Sequence, residues 1–405
     1  MPKIAVVTQT FPVREQPYRG HSVYQTLLRL KRWADVEVVS PQARYPSWLL
    51  PRNRTWARTD GSFCPPDFVT HYVPYPAIPV LTRPLNGWVC ARWLRLHVEA
   101  VKPDLILNYW VYPDGYAAVR IARWLGVPVV VKAIGSDINR SQDIISKVMI
   151  KRVMQMANAV LTVSQDLRNK VIAMGIDPAK VTAIPNGCDV AVFRPRDRNQ
   201  ARQELGLREQ DRVILYVGRM DVRKGLRELI AAGAALAEEF RTLKIIFVGD
   251  GPDSAELEKY VEQINARPFT MFAGVHTTEN VARWVAAADV AALPSYSEGC
   301  PNTIIEALSC GRPVVATRVG GIPELVNEKV GLLVEPRNVD SLRAALRAAL
   351  QRSWDEADIA RTSTRSWEKV AAETFAVCES LLLRPTQRVL QGGVLAEQAG
   401  NRVLV

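Results

Sequence analysis

A chain of 405 residues has room for two domains of ordinary size, and 48% hydrophobic with 23% charged content is that of a folded globular protein. No apolar run approaches the ~20 residues needed to span a bilayer, which excludes a helical membrane protein on sequence grounds. The net charge of +11 sits wholly in the first half: residues 1–190 hold 24 Lys and Arg against 13 Asp and Glu, while the remainder holds 28 against 28.

The opening MPKIAVVTQTF reads as a first strand, not as a signal peptide. Further strand-like runs follow in order: DVEVVS, DLILNYW, VPVVVKAIG, AVLTVS and KVTAIP. Helical patterns separate most of them, such as SVYQTLLRLKRW, GYAAVRIARWLG and SKVMIKRVMQMA. Strands alternating with helices predict a parallel sheet covered on both faces. Residues 42–97 break the pattern and are expected to be irregular. They interleave Arg and Trp in RYPSWLLPRNRTWAR and RPLNGWVCARWLRLHV, a composition suited to a membrane interface or to the basic face of an ordinary helix.

After Pro185-Asn186-Gly187 the pattern restarts with RVILYVG, LKIIFVGDG, FTMFAG, DVAALPS, PVVATRV and GLLVEP. The expected fold class is therefore α/β: two facing doubly wound, Rossmann-like units with a ligand cleft between their strand ends. The boundaries drawn are 1–187 for the first domain and 188–365 for the second. A helix over about 366–383 and a loose tail over 384–405 complete the chain. The six cysteines show no metal-site spacing and suggest a reduced, intracellular protein.

The chemistry concentrates in PSYSEGCPNTIIEALSCGRPVVATRV, residues 294–319. Pro301 suits a first helical turn, and Asn302 and Thr303 leave amides free there, so the helix N-terminus attracts phosphate. Glu298 in the preceding loop and Glu306 in the second turn are odd beside an anion unless they bind hydroxyls. A sugar and a ribose flanking a diphosphate would fit. Upstream, Gly218-Arg219 and Lys224-Gly225 follow a strand end, and this cation pair suits a diphosphate. Gly249 opens a tight turn after the next strand, and neither a dinucleotide fingerprint nor a Walker sequence accompanies it.

These segments resemble the retaining family 4 glycosyltransferases of the GT-B fold. IPNGCDVAVFRP, VGRMDVRKGL, VGDGP, the 294–319 stretch with GGIPELV, and GLLVEP occur in family order. The resemblance implies a donor site of Gly20, Gly218, Arg219, Lys224, Gly249, Glu298, Gly299, Cys300, Pro301, Asn302, Thr303 and Glu306. Within it Glu298 holds the donor sugar, Glu306 the ribose, and Arg219 with Lys224 the diphosphate, while Glu324 lies close by. Arg219, Lys224 and Glu298 are the residues expected to act in catalysis.

The first half matches more loosely. NYWVYPDGYAA and KAIGSDIN are similar to segments of exopolysaccharide and teichuronic-acid members, and His21, Gly135, Ser136 and Asp137 fall on the acceptor or sugar side. Asp137 faces the cleft in the family pattern, although a helix N-cap also fits its position. Many members carry His where this chain has Ile134. The implied activity is transfer of a hexose from a UDP- or GDP-sugar to a lipid-linked or growing oligosaccharide, with no metal and no cofactor. The alternatives are a nucleotide-sugar 2-epimerase on the same fold and a non-catalytic GT-B assembly partner. Nucleic acid is not an expected partner; an anionic membrane surface is, through the basic first domain. The expected location is cytoplasmic, peripheral on the inner face of the membrane.

Overall fold

The computed structural model describes residues 1–14, 16–46, 65–77, 85–139 and 144–383. Seven strands form the first sheet: β1 (Lys3–Val7), β2 (Asp35–Arg44), β3 (Thr70–Pro76), β4 (Leu105–Tyr109), β5 (Val129–Ala133), β6 (Ala159–Thr162) and β7 (Val181–Ala183). Six form the second: β8 (Arg212–Val217), β9 (Leu243–Val248), β10 (Thr270–Gly274), β11 (Val290–Leu293), β12 (Val314–Thr317) and β13 (Gly331–Val334). The orders are β3-β2-β1-β4-β5-β6-β7 and β10-β9-β8-β11-β12-β13, and the pairings are parallel. Central strands such as β4 and β5 are buried along their whole length, as helices on both faces require. Strand order reverses at β1/β4 and at β8/β11, and the loop after β5 meets the loop after β11 at Gly135 and Gly299.

The region expected to be irregular is partly regular. β2 runs on past Ser40 because Val38–Arg44 pairs residue for residue with β3, a strand that its prolines had obscured. The second Arg- and Trp-rich fragment is a helix, Asn86–Val101. Its Cys90, Ala91, Leu94 and Val98 are buried, while Trp88 and Trp93 are exposed. Trp48, Trp56, Arg52, Arg54 and Arg58 lie outside the described residues, as does 384–405.

The chain crosses between the sheets twice, and the crossings run side by side. Cys188 N–H donates to the Arg365 carbonyl at 2.8 Å, and Trp367 N–H donates to the Cys188 carbonyl at 3.3 Å. The helix Trp367–Leu382 then lies on the first sheet against the helix His21–Leu30. Trp367 is fully buried there with Leu27, Tyr109 and Val370, and Phe375 stacks on Trp33 at 6.0 Å. Trp367→Ala removes a large buried ring from the one second-half helix that enters that core among the described residues, and the expected loss is about 3–5 kcal/mol. Urea unfolding followed by circular dichroism measures it; a loss under about 1 kcal/mol would mean the helix contributes little to the first domain.

Candidate functional site

β8 ends in Gly218 and Arg219, and the chain turns through Val222–Lys224. The Tyr216 hydroxyl donates to the Arg219 carbonyl at 2.7 Å. Asp221 caps the turn and pairs with Arg223, whose guanidinium holds it well below the usual carboxylate range. Gly225 comes next, at φ +65°, and a Cβ there would stand 2.1 Å from the Pro294 carbonyl oxygen. Only glycine lets this loop lie directly on the loop after β11. Tyr296 N–H donates to the Arg223 carbonyl at 2.8 Å and joins the two.

That contact delivers Lys224 to Glu298: Nζ and Oε1 are 2.5 Å apart, and the Glu298 side chain is only 12% exposed. Two residues read from sequence as separate ligand groups thus hold each other. Arg219 is exposed and carries no ion pair among the described residues. Gly218 N–H bonds the Val248 carbonyl at 2.9 Å, which sets Gly249 beside it at the end of β9.

The helix Asn302–Ser309 begins at Pro301, and no side chain caps it. The amides of Asn302 and Thr303 therefore keep the partial positive charge of the helix end. The buried Asn186 amide donates to Asn302 Oδ1 at 2.9 Å and to the Cys300 carbonyl at 3.1 Å, which fixes the loop. Cys300 itself is inert, because burial pushes its thiol up to about 11. Glu306 lies one turn beyond Asn302, on the same face. Half-buried, it makes no hydrogen bond or ion pair among the described residues, and desolvation pushes its carboxyl up to about 7.

The first domain closes against this loop. Gly135 has φ +101°, and a Cβ on it would come within 3.0 Å of the Gly299 Cα. Ser136 opens the short Ser136–Asn139 helix, and Asp137 is buried within it. Its carboxylate does not face the cleft. It accepts from the amides of Gly135 at 2.9 Å, Ile134 and Ile138 at 3.1 Å and Val111 at 3.2 Å, so it positions the loop. Ile134 packs half-buried against both core clusters. Gly20 precedes the helix that His21 opens. The His21 ring lies edge-on to Trp367 at 6.5 Å, and burial holds its pKa below the ordinary value.

Glu324, within electrostatic reach of Cys300, takes part in closure. Its oxygens accept from Gln165 N–H at 2.7 Å and Asp166 N–H at 2.8 Å, the first amides of a first-domain helix, Gln165–Ala173. A carboxylate is favoured at such an end. Sequence reasoning also passed over Asp114, although NYWVYPDGYAA contains it. It is buried where the strand order reverses, with Gln9 N–H donating to Oδ2 at 2.5 Å and Oδ1 without a hydrogen-bond partner among the described residues. Burial pushes it up to about 8. A Pro-Asp-Gly turn directly after a central strand was the available signal.

The arrangement matches known proteins. Residues 20–192 match the family model for glycosyltransferase family 4, and residues 197–367 that for glycosyl transferases group 1. TuaC of Bacillus subtilis, assigned as a teichuronic acid biosynthesis glycosyltransferase, is 28% identical over 360 residues, 85% of this chain and 88% of its own. A D-inositol 3-phosphate glycosyltransferase of Segniliparus rotundus is 33% identical over 243 residues, 56% of this chain but only 51% of its own length. Among solved structures, sucrose-phosphate synthase from Thermosynechococcus elongatus superposes with a TM-score of 0.76 at 21% identity, covering 94% of this chain and 99% of that one. Anabaena HepE in complex with UDP and glucose gives 0.72 at 18%, covering 94% and 100%.

Glu306 gives a pH signature without any ligand. Between its ordinary value of 4.5 and about 7 the folded state holds a proton that the unfolded chain has released, so stability falls as pH rises through that window. Glu306→Gln should remove this part of the slope and stabilise the protein at about pH 8 by on the order of 1–2 kcal/mol. Urea titrations from about pH 5 to 8 measure it. An unchanged slope in the variant would show that Glu306 is well solvated.

Proposed function

Because the chain belongs to the GT-B glycosyltransferases, with a family 4 first half and a group 1 second half, we propose that it moves a hexose from a UDP- or GDP-sugar to a lipid-linked or growing saccharide, with retention at the anomeric carbon. One observation carries this reading: Glu298, paired with Lys224, directly precedes the uncapped Asn302 helix end, and Glu306 lies on that helix one turn beyond Asn302. HepE was captured with UDP and glucose, which supports a nucleotide diphosphate donor here. The cell-surface setting follows TuaC.

In this reading the diphosphate meets the Asn302 and Thr303 amides and the Arg219 and Lys224 cations, so no metal ion is required. Glu306 accepts from the ribose hydroxyls and Glu298 from the hexose. Glu298 also holds Lys224 in place until the diphosphate arrives. The acceptor oxygen bonds the anomeric carbon on the face from which the diphosphate departs. The broken bond's electron pair goes to the phosphate oxygen, which takes the acceptor's proton. The cations stabilise the charge that develops on it.

Arg219→Ala and Lys224→Ala should each lower turnover ~10²–10³-fold. Nucleotide release from UDP- and GDP-hexoses in the presence of acceptor measures this. Retention of a third of the wild-type rate in both variants would remove these residues from the clamp. Release that needs no acceptor would favour the epimerase instead. By calorimetry, Glu306→Gln should weaken UDP and GDP, whereas Glu298→Gln should spare them and weaken only the sugar-bearing donor. Equal losses in both variants would reject that division.

We also propose docking on an anionic membrane, through a surface that keeps Trp88, Arg92, Trp93 and Arg95 of the expected stretch and adds two neighbouring helices. Three packed helices, Asn86–Val101, Tyr116–Leu125 and Ile144–Met156, expose Trp88, Trp93, Leu96, Trp124, Ile144 and Val148. Arg92, Arg95, Arg120, Lys147, Lys151 and Arg152 lie on the same helices, and Arg95 sits over the Trp124 ring at 5.1 Å. Among the described residues no helix is long and apolar enough to cross a membrane. Each basic residue near an anionic surface contributes about 1 kcal/mol. Co-sedimentation with anionic liposomes should fade in high salt and fall severalfold in a Trp88→Ser, Arg92→Ser, Arg95→Ser variant. No sedimentation at low salt would leave a freely diffusing enzyme.

A further inference from the structure

At the outer edge of the first sheet, β2 and β3 end beside the helix Asn86–Val101 and leave a cavity of about 770 Å³. Among the described residues Tyr45, Pro46, Tyr75, Val89 and Trp93 line it, and Arg44 is the one charged residue with them. Its size falls in the range of ligand sites. Three features decide what fits. The walls are almost wholly apolar, so the occupant is a hydrocarbon chain or ring, not a sugar. Arg44 is exposed and has no ion pair among the described residues, so an anion beside that chain is favoured. The cavity also opens at the carboxyl ends of the strands, the side on which the cleft lies. Its inner wall, Tyr75, is buried within electrostatic reach of Asp114 at the β1/β4 reversal. On the other flank, Trp93 continues onto the exposed Trp88 and Leu96 face.

We infer that this cavity holds the apolar chain of a phosphate-bearing amphiphilic acceptor, with its phosphate at Arg44 and its sugar end directed past Tyr75 toward the cleft. The inference rests on the transferase reading for naming the ligand an acceptor. It also narrows that reading, since an unlinked oligosaccharide would have no use for the cavity. The chain leaves the membrane face at Trp88 and Trp93 and enters the protein without crossing water. Burying it gains roughly fourfold in affinity per methylene. Chain length therefore controls affinity more than the sugar does.

Calorimetry on the full-length protein tests this with dodecyl phosphate below its micellar concentration, dodecyl maltoside and inorganic phosphate. Dodecyl phosphate should bind one to one and inorganic phosphate should not. Val89→Phe, which fills the cavity from a half-buried position, should weaken dodecyl phosphate at least ~10-fold, the scale of an overpacking penalty. Arg44→Ser should weaken dodecyl phosphate roughly tenfold, the value of a charged hydrogen bond, and leave dodecyl maltoside unchanged. Both variants should keep the wild-type Tm and UDP affinity. Should Val89→Phe lower Tm, Trp93→Ala replaces it, with a loss of dodecyl phosphate affinity expected. Absence of dodecyl phosphate binding overturns the inference. So does binding undiminished in a folded Val89→Phe protein, which would place the detergent on the exposed helix face. UDP-hexose turnover measured in parallel separates the two readings: turnover without chain binding rejects this inference alone, and chain binding without nucleotide-sugar binding rejects the transferase reading alone.

Discussion

The two halves of the molecule meet backbone to backbone, and the site exists because they do. A Cβ on Gly299 would lie 3.0 Å from the Ile134 carbonyl oxygen and 3.2 Å from Val163 Cγ2, and one on Gly321 would lie 2.7 Å from Ser164 Cβ. Any larger residue at these positions would wedge the cleft open. Around this bare contact the polar groups settle at the rim, with Glu324 on the first-domain helix amides and Asn186 beneath the Asn302 loop. Charged hydrogen bonds of this kind contribute about 1.5–3 kcal/mol, less where solvent reaches them.

Beside the cleft, burial is applied to several ionisable groups and the outcome depends on their donors. Asp137 and Asp114 are both fully buried. Backbone amides donate to both, and burial lifts the first to about 6 and the second to about 8. In both the amides oppose the burial, and at Asp114 the Arg19 charge opposes it as well. Lys132 is the cationic counterpart. It lies 5.7 Å from the centre of the Tyr109 ring, and desolvation brings it down to about 8. Glu298 differs from all of these in having a full salt bridge, which makes Lys224 and Glu298 a preformed unit.

The basic first half and the neutral second half divide the molecule electrostatically as well as structurally. The described part of the basic excess gathers on helices that also expose tryptophan and isoleucine, while their buried faces, such as Ala91, Leu94 and Val98, are ordinary core. The same helix that offers Trp88 and Trp93 outward forms one wall of the apolar cavity, so surface and cavity are two sides of one element.

Local pattern determined much of this. All six strands of the second sheet lie in runs readable from the sequence, because strands buried on both faces are continuous apolar segments. The same holds for the helix at Asn302 with its Pro301 start, and for Glu298 and Glu306 as a pair around it. What failed locally failed where pairing decides: β3 carries prolines, and only its match to β2 makes it a strand. Asp137 could have faced the cleft or capped a helix, and only the surrounding amides chose between them. Lys224 and Glu298 are 74 residues apart, and Glu324 lies 159 residues from Gln165. No local propensity encodes such meetings. Lys224 meets Glu298 because Gly225 lets two loops of the second sheet touch, and Glu324 meets Gln165 because Gly299 and Gly321 let the two halves approach closely.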